Sequence, residues 1–290
     1  AWSGDGRQLS LFTAIGVYAY DVPAMTQADF RPMPLGTGTM AVSRDGHWVA
    51  VAGEDATVQV WDVAGGQPAP TLTGVVAIGI AFSPDGRQIA AGGWNAEMHG
   101  AHVRVWEVAT GRLIVELEQN ATGRIEDVAF SPDGKLLASR ESGSMGIETP
   151  VRLWDLATGT RLCTFPGPSA TLAFSPDGQV LASGLQRWDL RTGTALPHLE
   201  QEVTGGSPVT FSPDGRWFIG SRSEDNFHDY EQGHAAGIVL TYTVSIWHAD
   251  TGALQYDFFE PRRMIRILTV RPDGRRVAAV DYDDIVRVWD

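Results

Sequence analysis

One pattern constrains this 290-residue chain more than any other: an Asp-Gly pair returns seven times, each time followed by an aromatic residue. The pairs are Asp5-Gly6, Asp45-Gly46, Asp85-Gly86, Asp133-Gly134, Asp177-Gly178, Asp214-Gly215 and Asp273-Gly274. The aromatics are Tyr20, Trp61, Trp106, Trp154, Trp188, Trp247 and Trp289. A repeat of roughly 40 residues marks a supersecondary unit that buries its apolar surface only by stacking on its neighbours. In Phe-Ser-Pro-Asp-Gly the proline presets one turn dihedral and the glycine accepts a positive φ, so the pair reads as a hairpin corner. Apolar runs such as Val75 to Phe82 precede it, too short for a helix and hydrophobic enough for a strand buried on both faces. Two further strands follow, one carrying the Trp and one more polar, such as Arg112 to Glu118. Each unit is therefore expected to be a four-stranded antiparallel meander, a to d. A sheet with two apolar faces needs cover on both, and seven such sheets cover one another by stacking radially into a ring.

At these residues the chain resembles the WD-repeat β-propellers over its whole length. The resemblance implies an all-β fold, a seven-bladed β-propeller of four-stranded antiparallel blades, forming a single domain over residues 1–290. It fixes function much less, because one fold hosts many activities. Three departures stand out. The Gly-His pair common in the family is missing: Gly74, Gly123, Gly167 and Gly206 are not followed by His, so the Trp indoles need other hydrogen-bond partners. The Asp expected after Trp is Glu107 in unit three and His248 in unit six, and unit one carries Tyr20. The opening Trp2-Ser3-Gly4-Asp5-Gly6 also looks like the repeat of certain periplasmic propellers. On this register the sequence begins near the end of strand a of blade one and stops at the end of strand c of blade seven. Ring closure is accordingly expected to be incomplete in the given sequence, as in a segment of a longer protein.

Spacing carries the functional signal. From each aromatic to the next turn Asp the separations are 25, 24, 27, 23, 26 and 26 residues; from turn Asp to its own aromatic they are 15, 16, 21, 21, 11, 33 and 16. Variation is thus confined to the b–c hairpin, which the family places on its top face. Insertions restricted to one face of a repeat array commonly mark its binding face. Three units carry them: Gly93 to His102, Arg140 to Pro150, and Arg222 to about Thr243. The candidate partner-binding residues are Trp94, His99, His102, Arg140, Glu141, Met145, Phe227, His228 and Tyr230. The aromatics among them are of the type that anchors interfaces. In the third insertion, the segment from Gly237 to Val244 is expected to extend strand c, with Glu224 to His234 as a mobile tip.

Little else suggests chemistry. The histidines His228 and His234, like His99 and His102, fit no metal-ligand spacing, and no cofactor or metal is expected. No nucleophile elbow or phosphate-cradling loop is present, and Lys135 is the only lysine, so the chain is not expected to be an enzyme. A formal charge of −13 opposes a general nucleic-acid or anionic-membrane surface. Arg262, Arg263, Arg266, Arg271, Arg275 and Arg276 crowd together, but the strand assignment divides them between two faces. Arg262 and Arg263 are expected to pair with Glu224, Asp225, Asp229 or Glu231. The single Cys163 excludes an intramolecular disulfide and suits a reducing, cytoplasmic setting, and abundant Ala, Gly and Arg suggest a bacterial source. These points converge on a scaffold or sensor module binding a protein or peptide, or another domain of the same longer chain. The alternative is a periplasmic or secreted propeller with a ligand or catalytic site at its central channel.

Overall fold

The computed structural model describes all residues except 1–6, 14–15, 25, 33–38, 54, 95–99, 119–122, 143–148, 169, 200–207, 228–237, 260–263 and 284. The described residues are all-β: 26 strands in seven antiparallel sheets that follow one another in chain order, the blades of a β-propeller. Blade 1 holds β1 (Gln8–Thr13), β2 (Gly16–Asp21) and β3 (Thr26–Pro32). Blade 2 holds β4 (Met40–Val42), β5 (Trp48–Ala52), β6 (Thr57–Asp62) and β7 (Leu72–Thr73). Blade 3 holds β8 (Val76–Phe82), β9 (Gln88–Trp94), β10 (Ala101–Glu107) and β11 (Leu113–Glu118). Blade 4 holds β12 (Ile125–Phe130), β13 (Leu136–Glu141), β14 (Thr149–Asp155) and β15 (Thr160–Gly167). Blade 5 holds β16 (Leu172–Phe174), β17 (Val180–Ser183), β18 (Gln186–Asp189) and β19 (Thr194–Ala195). Blade 6 holds β20 (Val209–Phe211), β21 (Trp217–Phe227), β22 (Ile238–His248) and β23 (Leu254–Phe259), and blade 7 holds β24 (Ile265–Val270), β25 (Val277–Asp281) and β26 (Val286–Trp289). Among the described residues blades 1 and 7 are three-stranded, blade 1 lacking strand a and blade 7 lacking strand d, as the sequence register requires. The chain forms two compact units, 1–174 and 175–290, each described by itself.

Burial corrects one expectation: strand a of blade 3, read from Val75 to Phe82 as buried on both faces, is only half-buried over most of β8. Strands b are enclosed almost throughout, as in β5 and β9; strands c alternate, with Val103 and Val105 buried around half-buried Arg104; strands d are the most exposed. Within the first unit the motif residues Trp106 and Trp154 pack toward the preceding blade. Trp106 joins Val58, Val60 and Leu72 of blade 2, and Trp154 joins Val103, Val105 and Leu117 of blade 3. In the second unit Trp289 lies against the cluster of Ile219, Val244, Ile265 and Ala279 that joins blades 6 and 7. The missing Gly-His pair is partly compensated in blade 4, where the Trp154 indole N–H donates to Ser139 Oγ at 2.9 Å, both groups buried.

The a–b corners form one recurring device. In Ser83-Pro84-Asp85-Gly86 the serine hydroxyl donates to Asp85 Oδ1 at 2.6 Å and accepts the Gln88 N–H at 2.9 Å, while the Gly86 N–H donates to the Ser83 carbonyl. Ser43, Ser131, Ser175 and Ser212 repeat it, and Arg271 replaces serine in the last turn. The Ser83, Ser131 and Ser212 hydroxyls chiefly hold Asp85, Asp133 and Asp214 below the usual carboxylate range. All six described turn glycines have φ between 69° and 73°. A Cβ on Gly134 would meet only Pro84 Cδ at 3.8 Å, so Gly134→Val acts through its φ of 70° alone. A loss of about 1 kcal/mol or more in denaturant unfolding is expected. A midpoint equal to wild type would refute the turn assignment.

Candidate functional site

The b–c connections leave every sheet at the end opposite the Asp-Gly corners, and the three insertions are partly longer strands. In blade 3, Gly93 and Trp94 end β9 and pair with His102 and Ala101 of β10. Trp94 is half-buried, and His99 lies outside the described residues. His102 Nδ1 sits 3.3 Å from Glu116 Oε1, which also accepts from Arg104 Nη2 at 3.0 Å. Arg104 Nη1 reaches the Thr73 carbonyl of blade 2 at 3.1 Å.

In blade 4, Arg140 and Glu141 end β13 rather than standing in a loop. Arg140 is buried and pairs with Glu126 at 2.9 Å; Glu141 is buried and pairs with Arg152 at 2.7 Å, also accepting the Gly123 N–H at 3.2 Å. Their charges are held inside the blade, and what they offer at its rim is rigidity. Burial opposes ionisation of Glu126, but the guanidiniums of Arg140 and Arg124 outweigh it and hold the carboxyl below its ordinary value. Met145 lies outside the described residues.

In blade 6 the expected extension of strand c is present, since β22 starts at Ile238. The expected tip is corrected at its start: Glu224 to Phe227 belong to β21, in register with Thr241 to Ile238. The alternating apolar and β-branched residues of β22 template their partner strand, so the ribbon runs four residues further than the polar sequence suggests. His228 and Tyr230 lie outside the described residues, as do Arg262, Arg263, Asp229 and Glu231 of the expected ion pairs.

Two groups at these blades escaped the sequence reading. Asp127 lies at a bulge in β12 and accepts the Leu172 N–H of blade 5 at 2.7 Å and the Val128 N–H at 2.9 Å. The close neighbour is Gly79 of blade 3, where a Cβ would stand 2.7 Å from Asp127 Cα. Burial pushes the Asp127 carboxyl up to about 6, against the pull of those N–H groups and of Arg140. A folded-state value above the ordinary 3.8 means that the native chain binds this proton more tightly than the unfolded chain. Its contribution to stability is complete below the unfolded value and is lost as pH rises through about 6. Asp127→Asn is therefore expected to flatten the stability profile between pH 4 and 7 by on the order of 2 kcal/mol. Parallel profiles for the two proteins would refute this. The second group is Arg187. In the other Trp-bearing units the residue before Trp is Val60, Val105, Leu153, Ile246 or Val288, so an arginine there was the available signal.

The same corners, Trp strands and stacked sheets are matched by the family model described as WD domain, G-beta repeat, over residues 38–62, 66–107, 111–145 and 261–290. The chain carries WD repeats. It is also similar to an uncharacterized WD repeat-containing protein of Synechocystis sp., 34% identical over 122 residues. That match spans 40% of this chain and 33% of the relative's length, and a bacterial relative fits the source suggested by composition. WD-repeat propellers serve in general as scaffolds for protein interaction and are typically non-catalytic. Among the described residues of this WD-repeat chain, no three His, Cys, Asp or Glu side chains converge as a metal site would require.

Proposed function

We propose that this WD-repeat chain is a non-enzymatic interaction module that receives a protein or peptide on the b–c side of its blades. The observation that carries the reading is the contrast between the two ends of the sheets. The Asp-Gly end repeats one hydrogen-bonded corner in blade after blade, whereas the b–c end varies from the tight Gly184-Leu185 turn of blade 5 to the eleven-residue strands of blade 6. Trp94 and His102 would contact the partner directly, and His99, Met145, Phe227, His228 and Tyr230 are proposed as further contacts from the sequence. Arg140 and Glu141 would act from within by fixing the rim. We assign the chain to the cytoplasm of a bacterium, within a longer signalling protein. Burial raises the Cys163 thiol above its ordinary pKa, which suits an unreactive cysteine in a reducing compartment. The test compares the intact chain with one in which 95–99, 143–148 and 228–237 are replaced by short Gly-Ser links. Partners captured from the source organism should be lost with the links, and equal capture by both proteins would overturn the assignment.

A further inference from the structure

The β21–β22 ribbon outruns the rest of its blade. On one side β20 pairs only with Phe218 to Gly220, followed by the Ser221 N–H bonded to the Pro208 carbonyl; on the other, β23 pairs with Thr243 to Trp247. Among the described residues, β22 from Ile238 to Tyr242 has β21 on one side and no strand on the other. Hydrogen bonds lower in the sheet fix which backbone groups face that open side. The Ala249 N–H donates to the Arg216 carbonyl across β21, whereas the His248 N–H donates toward β23, and the β21–β22 register runs from Trp217↔His248 to Phe227↔Ile238 without a shift. By strict alternation the N–H and C=O groups of Ile238, Leu240 and Tyr242 point outward, and those of Val239 and Thr241 point to β21.

The two edges of the ribbon are also chemically unequal. β21 carries Arg222, Glu224 and Asp225, the sort of charges that natural sheets use to blunt an edge. From Ala235 to Trp247 the sequence holds no Asp, Glu, Lys or Arg, and Ile238-Val239-Leu240-Thr241-Tyr242 is rich in strand-forming residues. We infer that the outward edge of β22, at Ile238, Leu240 and Tyr242, is a β-augmentation site that takes an extended, basic peptide segment as an added strand. This deepens the partner reading above and rests on it. The backbone ladder supplies the pairing. The sign of the partner follows from the chain's charge of −13 and from Glu224 and Asp225, in register opposite Thr241 and Leu240. The same charge opposes a second copy of the chain in that position.

The probe is a capped seven-residue peptide alternating Lys with Val or Thr, titrated to millimolar concentration against the amide spectrum of the intact chain, with a Glu-for-Lys peptide as control. Before addition, the amides of Ile238, Leu240 and Tyr242 should exchange faster than those of Val239 and Thr241; the basic peptide should protect the first three and leave the others unchanged. Leu240→Pro removes one outward donor without touching the β21 ladder, and should weaken binding about tenfold with an unchanged melting temperature. If that variant melts early, the protection pattern of the wild-type chain still decides. Equal binding of the acidic peptide, protection of the three amides by self-association without peptide, or no change at any amide would overturn the inference. Shifts confined to the blade 3 and blade 4 rims would overturn it while leaving the proposed interaction face standing.

Discussion

Replacing Arg187 by alanine is expected to lower the unfolding free energy by about 3–5 kcal/mol, the largest loss from any single polar side chain described above. Arg187 is 2% exposed, and its guanidinium donates through Nη1 to the Ala249 carbonyl and through Nη2 to the Pro197 carbonyl at 2.8 Å. It also lies 5.6 Å from the centre of the Phe218 ring, close enough for a cation–π contribution. Burial pulls its pKa below that of a free arginine, with Asp250 working in the other direction. Truncation leaves two buried carbonyls without this donor and a cavity beside the fully buried Phe218 ring. Arg187→Lys should fall between, because a single ammonium cannot span both carbonyls as the planar fork does. Urea unfolding measures both, and an alanine variant within about 1 kcal/mol of wild type would show that the latch is dispensable.

Glu141→Ala is expected to destabilise by about 3 kcal/mol, because it removes the carboxylate facing the Arg152 guanidinium where both side chains are mostly enclosed. The companion experiment replaces both members, Glu141→Met with Arg152→Met, and should recover most of the loss, since two apolar side chains of similar size leave no unmatched charge. A double variant no more stable than the single one would mean that the pair acts through hydrogen bonds not replaceable by packing. Either result bears on the proposed interface. Loss of partner capture in Glu141→Ala but not in the double variant would assign Glu141 a purely structural part at the rim.

The blades were legible because the corner needs a particular chemistry: an Asp-Gly pair, with a serine two residues before the Asp in five of the six described corners, closes the observed hydrogen bonds, so the sequence repeats it wherever the fold does. The Trp positions were legible for a similar reason, since Trp106, Trp154 and Trp289 pack where neighbouring sheets meet. Arg140 and Glu141 were misplaced at the loop because charged residues at a strand end look solvent-facing until their partners are known, and Glu126 and Arg152 come from other strands. Asp127 was invisible for a further reason: its burial depends on Gly79 letting two blades approach, and the sequence of one strand carries no record of that distance. Glu224 to Phe227 read as loop by composition, yet the partner strand, not their own preference, makes them β.

In the first unit a Cβ added at Gly134 would stand 3.8 Å from Pro84 of the corner before it; in the second, one at Gly215 would stand 3.7 Å from Pro176 and one at Gly274 3.8 Å from Pro213, so successive corners lie side by side. Each corner thereby gauges the spacing of the next, so that one end of the array has a fixed pitch. A residue inserted between Asp133 and Gly134 would misalign two blades, whereas at the opposite end the described links between blades run through the strands, from Arg104 to the Thr73 carbonyl and from the Leu172 N–H to Asp127, rather than through the hairpins. For anyone grafting a foreign binding loop onto this scaffold, the b–c hairpins are the ends where new sequence can be added without retuning its neighbours.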